Sequence, residues 1–200
     1  MAQMAKVTIN WSGFPGGPGY TNLYFRDFTG TGAIDQAIVD GAVSKVDAWL
    51  AVWRVSLPNS VLTGVDSTVE AIEETTGELQ SFYTATPAAA AVGTGGTAYS
   101  SPSGAVVSWY TSTVRNGRRI RGRSFMVPLS TTAYEADGTI TAAKITSWNT
   151  ASATLIASGS VSDLGVWARP TTPGGTDGEW ALVTSYRIPD MAAILTSRRN

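Results

Sequence analysis

A cluster of arginines is the densest chemical signal in this chain. Five of its fourteen basic residues fall within nine positions, and they are Arg115, Arg118, Arg119, Arg121 and Arg123. A guanidinium group stays charged and presents five N–H donors, so such a cluster can bind phosphates, carboxylates or carbonyl oxygens. The cluster therefore indicates binding and not catalysis.

A predicted β-hairpin positions these arginines. Residues 106–114 form its first arm and are rich in β-branched and aromatic residues, and residues 118–127 form the second arm. Asn116-Gly117 lies between the arms and suits a two-residue type I′ turn. Because side chains alternate along a strand, we expect Arg119, Arg121 and Arg123 on one face.

Three interpretations of the arginine hairpin are open. We favour a contact between subunits, where Arg side chains meet carboxylates or carbonyl oxygens of a neighbour, because arginine outnumbers lysine eleven to three. A polyanion site is less favoured, because the net charge is −1 and no aromatic residues are interleaved with the arginines. The third interpretation is an ordinary edge strand that charge protects against aggregation.

Exposed aromatic residues would favour a different class of protein. Stacking of aromatic rings on sugar faces would make the chain a carbohydrate-binding or host-receptor-binding module, and the candidate surface is Trp11, Trp109, Tyr110 and Trp180. One open groove lined by these residues would support this alternative, and their burial would oppose it. The other tryptophans lie where core residues are expected: Trp49, Trp53, Trp148 and Trp167.

Composition excludes several chemistries. The chain has no cysteine and no histidine, which rules out disulfides, Cys or His metal ligands, Ser-His-Asp triads and Cys nucleophiles. Glu70, Glu73 and Glu74 cluster, but a glycosidase needs two carboxyls across a cleft, and we give this interpretation little weight. We expect a non-enzymatic protein without cofactor or metal, made in the cytoplasm, with neither a signal peptide nor a membrane span.

The predicted elements indicate an α+β fold in a single domain. Helices are predicted at 34–54 and 140–157, and the predicted strands are 6–11, 20–28, 61–65, 68–73, 78–84, the two hairpin arms, 164–168 and 180–188. We expect an antiparallel sheet with the two long helices packed on one face, and a degenerate duplication is a further hypothesis. The low-complexity stretch 86–104 is predicted to be a flexible or inter-subunit arm.

Several segments carry a resemblance to a known family. They are TINWSGFPGGPG at the start, VSWYTSTVRNGRRIRGRSFMVPL with AYEADGTI after it, VWARP, and VTSYRIPDMAAILTSRR at the end. These segments resemble small proteins, mostly of unassigned function, that are encoded by actinobacterial phages and related environmental viral genomes. The resemblance implies a phage-encoded protein of the virion, and it implies no fold and no site residue.

The resemblance and the composition together predict a structural protein of a virus particle. Charged residues make up only 14% of the chain, which suits a surface largely covered by other protein copies. The expected role is that of a capsid, capsid-decorating or tail-associated subunit that acts as a homo-oligomer in the virion. Its expected partners are copies of itself and other virion proteins, and nucleic-acid packaging is the least favoured alternative.

Overall fold

The computed structural model describes residues 2–13, 18–26, 32–98, 107–115, 118–121, 125–127, 129–157, 162–168 and 181–186. Within these residues the chain forms antiparallel sheets and two long helices, so the predicted α+β class is confirmed.

The first sheet has six strands and is built around β1. Its strands are β1 (Gln3–Ser12), β2 (Gly19–Arg26), β3 (Leu62–Val65), β4 (Thr68–Glu73), β5 (Leu79–Thr84) and β6 (Ala91–Val92). The strand order is β5-β4-β1-β3-β6, and β2 pairs with the other side of β1. Since β1 is ten residues long, β4 pairs with its first half and β3 with its second half, both antiparallel.

Alternation along β1 decides which face of this sheet is buried. Ala5, Val7, Ile9 and Trp11 belong to the main hydrophobic core, and each is at most 2% exposed. Strand geometry places the intervening residues on the opposite face, which we call the outer face. The outer face is thus the side of the six-stranded sheet that points away from the main core.

The second sheet has five strands in the described residues. They are β7 (Val107–Arg115), β8 (Arg118–Arg121), β9 (Phe125–Val127), β10 (Ser162–Ala168) and β11 (Ala181–Tyr186). The order is β11-β10-β7-β8, with β9 paired to the start of β7 on the same side as β8. The register shifts between Val166 and Trp167, which marks a bulge between β10 and β11.

The helix α1 (Gln36–Arg54) forms where its apolar spacing predicts it. Asp35 caps its N-terminus, and the carboxylate accepts a hydrogen bond from the Ile38 N–H at 2.9 Å. Its buried stripe packs on β1, β3 and β5. The stripe consists of Ile38, Val39, Ala42, Val43, Val46, Trp49, Leu50 and Trp53.

The helix α2 (Ala142–Ala157) begins two residues later than predicted. Ile140 instead forms an isolated bridge with Tyr134, and Thr141 accepts a hydrogen bond at Oγ1 from the Lys144 N–H at 3.3 Å. Asp137, in the turn before α2, accepts hydrogen bonds from the N–H and hydroxyl of Thr139. The helix packs on β10, β11 and α1.

Three tryptophans join the two helices. The rings of Trp53 and Trp148 stack with centroids 4.4 Å apart and planes 7° apart, and Trp49 meets Trp53 at 5.9 Å in a tilted arrangement. The Trp49 indole N–H donates to the Ser152 hydroxyl at 3.2 Å. All three rings are at most 3% exposed, so their predicted burial is confirmed.

Both halves of the chain repeat one strand order. In the first half the spatial order is β2-β1-β4-β5. Along the chain, α1 lies between β2 and the strands that next pair with β1. In the second half it is β8-β7-β10-β11, with α2 in the corresponding place. Common ancestry of the halves stays a hypothesis, since equal topology can arise without it.

The stretch expected to form an arm is attached to its own chain wherever the structure describes it. Ala88 N–H donates to the Asp47 carboxylate on α1 at 2.6 Å, and the N–H groups of Gly93 and Gly95 donate to the carbonyls of Val61 and Leu57. These backbone bonds, together with the pairing of β6 on β3, hold the described part of this low-complexity segment against the rest of the chain. Residues 99–104 of the predicted arm lie outside the described residues.

We predict that the tryptophan stack couples the two helices energetically. Trp53→Ala and Trp148→Ala should each lower the free energy of unfolding by about 3–5 kcal/mol, because each leaves a cavity and removes a stacked partner. The double variant should lose less than the sum, with a coupling of about 1 kcal/mol. Urea denaturation of the parent, both single variants and the double variant measures this coupling energy. Val55→Ala, at an exposed position, is the control. Strict additivity of the two single effects would contradict the prediction.

A second prediction concerns the loop that crosses the end of α1. A Cβ on Gly93 would lie 2.3 Å from the Pro58 carbonyl oxygen, whereas a Cβ on Gly19 would meet nothing within 4 Å. Gly93→Ala should therefore cost about 1–3 kcal/mol through forced backbone movement. Gly19→Ala is the matched control, and equal stability of the two variants in thermal denaturation would refute this account.

Candidate subunit-contact surfaces

The arginine hairpin forms one edge of the five-stranded sheet. Arg115 at the end of β7 pairs with Arg118 at the start of β8, and Arg119 and Arg121 pair with Val114 and Ser112. Positions 119 and 121 alternate with position 118 along this strand, and the expectation of one face shared with Arg123 stays a prediction. Arg123 and the Asn116-Gly117 turn lie outside the described residues.

The charge of this edge limits what can pair with it. In the described part of the sheet β8 is the terminal strand, and three of its four residues are arginines. An identical strand would bring like charges together, which is a common protection of sheet edges. A partner for this edge would instead need carboxylates or other anionic groups.

Of the four candidate aromatic residues, Trp11 is the one whose burial the structure describes. Trp11 is 2% exposed and belongs to the main core. In the second sheet Trp109 pairs with Val166, and Tyr110 pairs with Gly165. Trp180 lies outside the described residues.

The outer face of the six-stranded sheet carries an apolar surface that sequence reasoning missed. Strand register identifies this surface, because directly paired residues lie on the same face of a sheet. Tyr20 pairs with the outer-face residue Asn10. Phe82 pairs with Glu70, which in turn pairs with the outer-face residue Lys6. Six large hydrophobic side chains are exposed among the described residues, and all but Val55 lie on this face. The five are Tyr20 (49%), Leu62 (38%), Leu79 (48%), Phe82 (63%) and Val92 (50%).

Polar pairs cross the outer face between these residues. Lys6 Nζ lies 2.9 Å from the Glu70 carboxylate, and Thr8 donates to the Asn22 side chain at 3.0 Å. Both pairs link neighbouring strands and are partly exposed, so each adds little to stability. Their effect is to divide the outer face into apolar ends with a polar middle.

One end of the outer face has its own small apolar cluster. Met4 and Ile72 are buried there, with Tyr24 packed against them, although this face points away from the main core. The guanidinium of Arg26 pairs with Glu74 beside the cluster. Leu79 pairs with Ile72 and extends the cluster toward the edge of the sheet.

The opposite end of the outer face contains a shallow hollow of about 300 Å³. Asn10, Ser12, Leu62 and Ala90 are among the residues that line it. The hollow offers an amide, a hydroxyl and apolar surface, and its lining has no titratable side chain. Such a lining can bind by shape and hydrogen bonding but holds no acid or base for catalysis.

The clustered glutamates take part in structural contacts. Glu70 and Glu74 form the ion pairs with Lys6 and Arg26. The buried Glu73 carboxylate accepts hydrogen bonds from the Thr76 hydroxyl and from the Thr76 N–H. These two bonds lower the pKa of Glu73, and the bond from the hydroxyl contributes most. In the part of the chain that the structure describes, no three acidic side chains gather as a metal site.

Burial also acts on one basic side chain of α1. Desolvation lowers the pKa of Lys45. At the turn before α2, the hydroxyl and N–H of Thr139 lower the pKa of Asp137. Each of these pKa shifts has a local cause, and the shifted groups do not share a cleft of the kind that an active site has.

Comparison with known proteins identifies no relative. No protein-family model, no curated protein and no solved structure matches the chain. The resemblance to phage-encoded proteins therefore remains a hypothesis. Within the described residues, neither helix is long and apolar enough to cross a membrane.

The hairpin turn that holds β5 should make stability depend on pH. Because the folded pKa of Glu73 is lowered, its stabilisation is complete above the ordinary pKa of 4.5 and is lost as pH falls through the folded value. Thr76→Val removes the leading cause of the shift. The variant should therefore be less stable at neutral pH, and its difference from the parent should shrink under acid conditions.

Thermal denaturation between pH 7 and pH 2 would measure this difference. Thr146→Val is a suitable control, because Thr146 is exposed on α2. A Thr76→Val penalty that is unchanged at every pH would contradict the role of Glu73.

Proposed function

We propose that this chain is a structural subunit of a virus particle, most plausibly of a bacteriophage, and that it acts through contacts between protein subunits. The observation that carries the proposal is the outer face, which gathers five of the six large exposed hydrophobic side chains of the described residues. Exposed apolar surface of this kind, in a chain with few charges, is typical of protein interaction sites.

Two edges of opposite character support assembly. The β8 edge is rich in arginine, and the β5 edge of the other sheet carries no charge between Leu79 and Thr84. Edges that differ in this way favour different partners, because like charges repel and neutral edges do not. The resemblance to phage-encoded proteins is the independent argument for a virion as the destination.

The carbohydrate-binding alternative loses one of its candidates. It requires exposed aromatic rings in one groove, and Trp11 contributes its ring to the core instead. The three other tryptophans whose side chains the structure describes, Trp49, Trp53 and Trp148, are likewise buried. We therefore do not propose it as a second function.

Light scattering over a range of protein and salt concentrations tests the proposal. We expect a discrete oligomer, and the part of its assembly that depends on the β8 edge should weaken at high salt, because the Debye length falls to about 3 Å at 1 M. The double variant Arg119→Ala/Arg121→Ala should show the same weakening already at low salt.

The control removes two positive charges from the helices, Lys45→Ala/Lys144→Ala, and should assemble like the parent. A chain that stays monomeric at every concentration and salt would overturn the proposal. Equal loss of assembly in both double variants would show that net charge, not the β8 edge, is responsible.

A further inference from the structure

The strand β5 has a free edge with hydrogen-bonding groups directed away from its sheet. It is the terminal strand of the six-stranded sheet among the described residues and pairs with β4 alone. The Ala85 N–H donates to the Ser67 carbonyl at 2.8 Å, which identifies that pair as hydrogen-bonded. By alternation the main-chain groups of Phe82 and Thr84 point away from β4.

One of these outward groups is already occupied. The Thr84 carbonyl accepts a hydrogen bond from the Gln36 side chain at 2.7 Å. The N–H and C=O of Phe82 have no such partner among the described residues. Phe82 is therefore the position at which another strand can exchange two backbone hydrogen bonds with this edge.

The side chains of β5 lack the usual protection of an exposed edge. Edge strands are commonly protected by Lys, by proline or by inward charges, but Leu79–Thr84 contains none of these. A bulge at Gln80 is the single protective feature in the register, and it leaves Ser81–Thr84 regular. Phe82 is 63% exposed on the outer face.

The strand is also held in place for binding. The Tyr83 hydroxyl donates to the Ile34 carbonyl at 2.6 Å just before α1. At the other end of β5, the Glu73 N–H donates to the Glu78 carbonyl at 2.9 Å in the hairpin turn. A strand ordered before binding loses less conformational entropy on pairing, which favours association.

Charge decides which partner suits this edge. A second copy of β8 would bring arginines to it but no anionic group to meet them, whereas a second copy of β5 is neutral along its whole length. Identical strands can pair antiparallel about a twofold axis, which gives a closed contact between two copies. A register centred on Tyr83 would place the occupied Thr84 carbonyl in its central hydrogen bonds. A register centred on Phe82 uses the N–H and C=O of Phe82 there and meets Thr84 only opposite the bulged Gln80, so we favour it.

We propose that β5 pairs antiparallel with β5 of a second copy of this chain, across a twofold axis at Phe82. The two six-stranded sheets then form one continuous sheet, and the two Phe82 rings lie opposite each other on its outer face. This inference deepens the proposed function and rests on it in one respect, namely that the particle is built from copies of this chain.

The contact should depend on the side chain at its centre and not on salt. Phe82→Asp replaces the two facing apolar rings by carboxylates that lose water on pairing, and it should weaken dimerisation about tenfold or more. The matched control is Val55→Asp, since Val55 is 50% exposed and lies at the end of α1, away from the outer face. Sedimentation equilibrium in 1 M salt, where contacts of the β8 edge are screened, measures the dimer alone.

A second variant tests the geometry directly. Because the chain has no cysteine, Phe82→Cys carries a single thiol. A short bismaleimide should link two copies of Phe82→Cys in high yield at protein concentrations where Val55→Cys gives only monomer. Circular dichroism of each variant should match the parent, since both replaced side chains are exposed.

The outcomes separate this inference from the proposed function. If the parent assembles and Phe82→Asp assembles equally well, the β5 contact is refuted while the structural role stands. If the parent never assembles, both are refuted. Open polymers that persist in 1 M salt and disappear in Phe82→Asp would refute the closed twofold arrangement, because a twofold contact acting alone ends at two copies.

Discussion

The stacked pair of Trp53 and Trp148 holds the two halves of this protein in one core. Each ring comes from the helix of a different half, and each helix packs on the sheet of its own half. Large flat rings bury much apolar area, so a contact between only two side chains can fix how the helices lie against each other. The indole of Trp49, bonded to Ser152, adds a directional contact to this packing.

A helix on one side of the six-stranded sheet leaves its outer face without a covering layer among the described residues. In the six-stranded sheet the consequence is visible, because the inner positions of β1 are buried and five large hydrophobic side chains remain exposed on the outer face. A protein that worked alone in water would be expected to place polar residues there. This exposed apolar surface is the basis of our proposal that the chain acts through contacts with other subunits.

The two sheet edges divide the work of assembly in our proposal. Screening by salt acts on the arginine edge of β8 and has little effect on backbone pairing along the neutral edge of β5. One chain can thus make two contacts that depend on different conditions, which is useful for a subunit that must meet copies of itself and other partners. The turn at Glu73 and Thr76 supports the second contact, because it shapes the hairpin to which β5 belongs.

The sequence by itself determined the α+β class, both helices, most strand positions and the burial of Trp49, Trp53 and Trp148, because apolar spacing and turn residues are local signals. The exposure of Phe82 was not readable, since a bulge at Gln80 interrupts the alternation of β5, and a strand does not reveal which face a distant helix will cover. The burial of Trp11 was likewise decided by tertiary structure, because the face of β1 that carries it is the one that α1 covers. Tertiary structure alone made β5 and β8 terminal strands, because pairing between distant segments decides where a sheet ends.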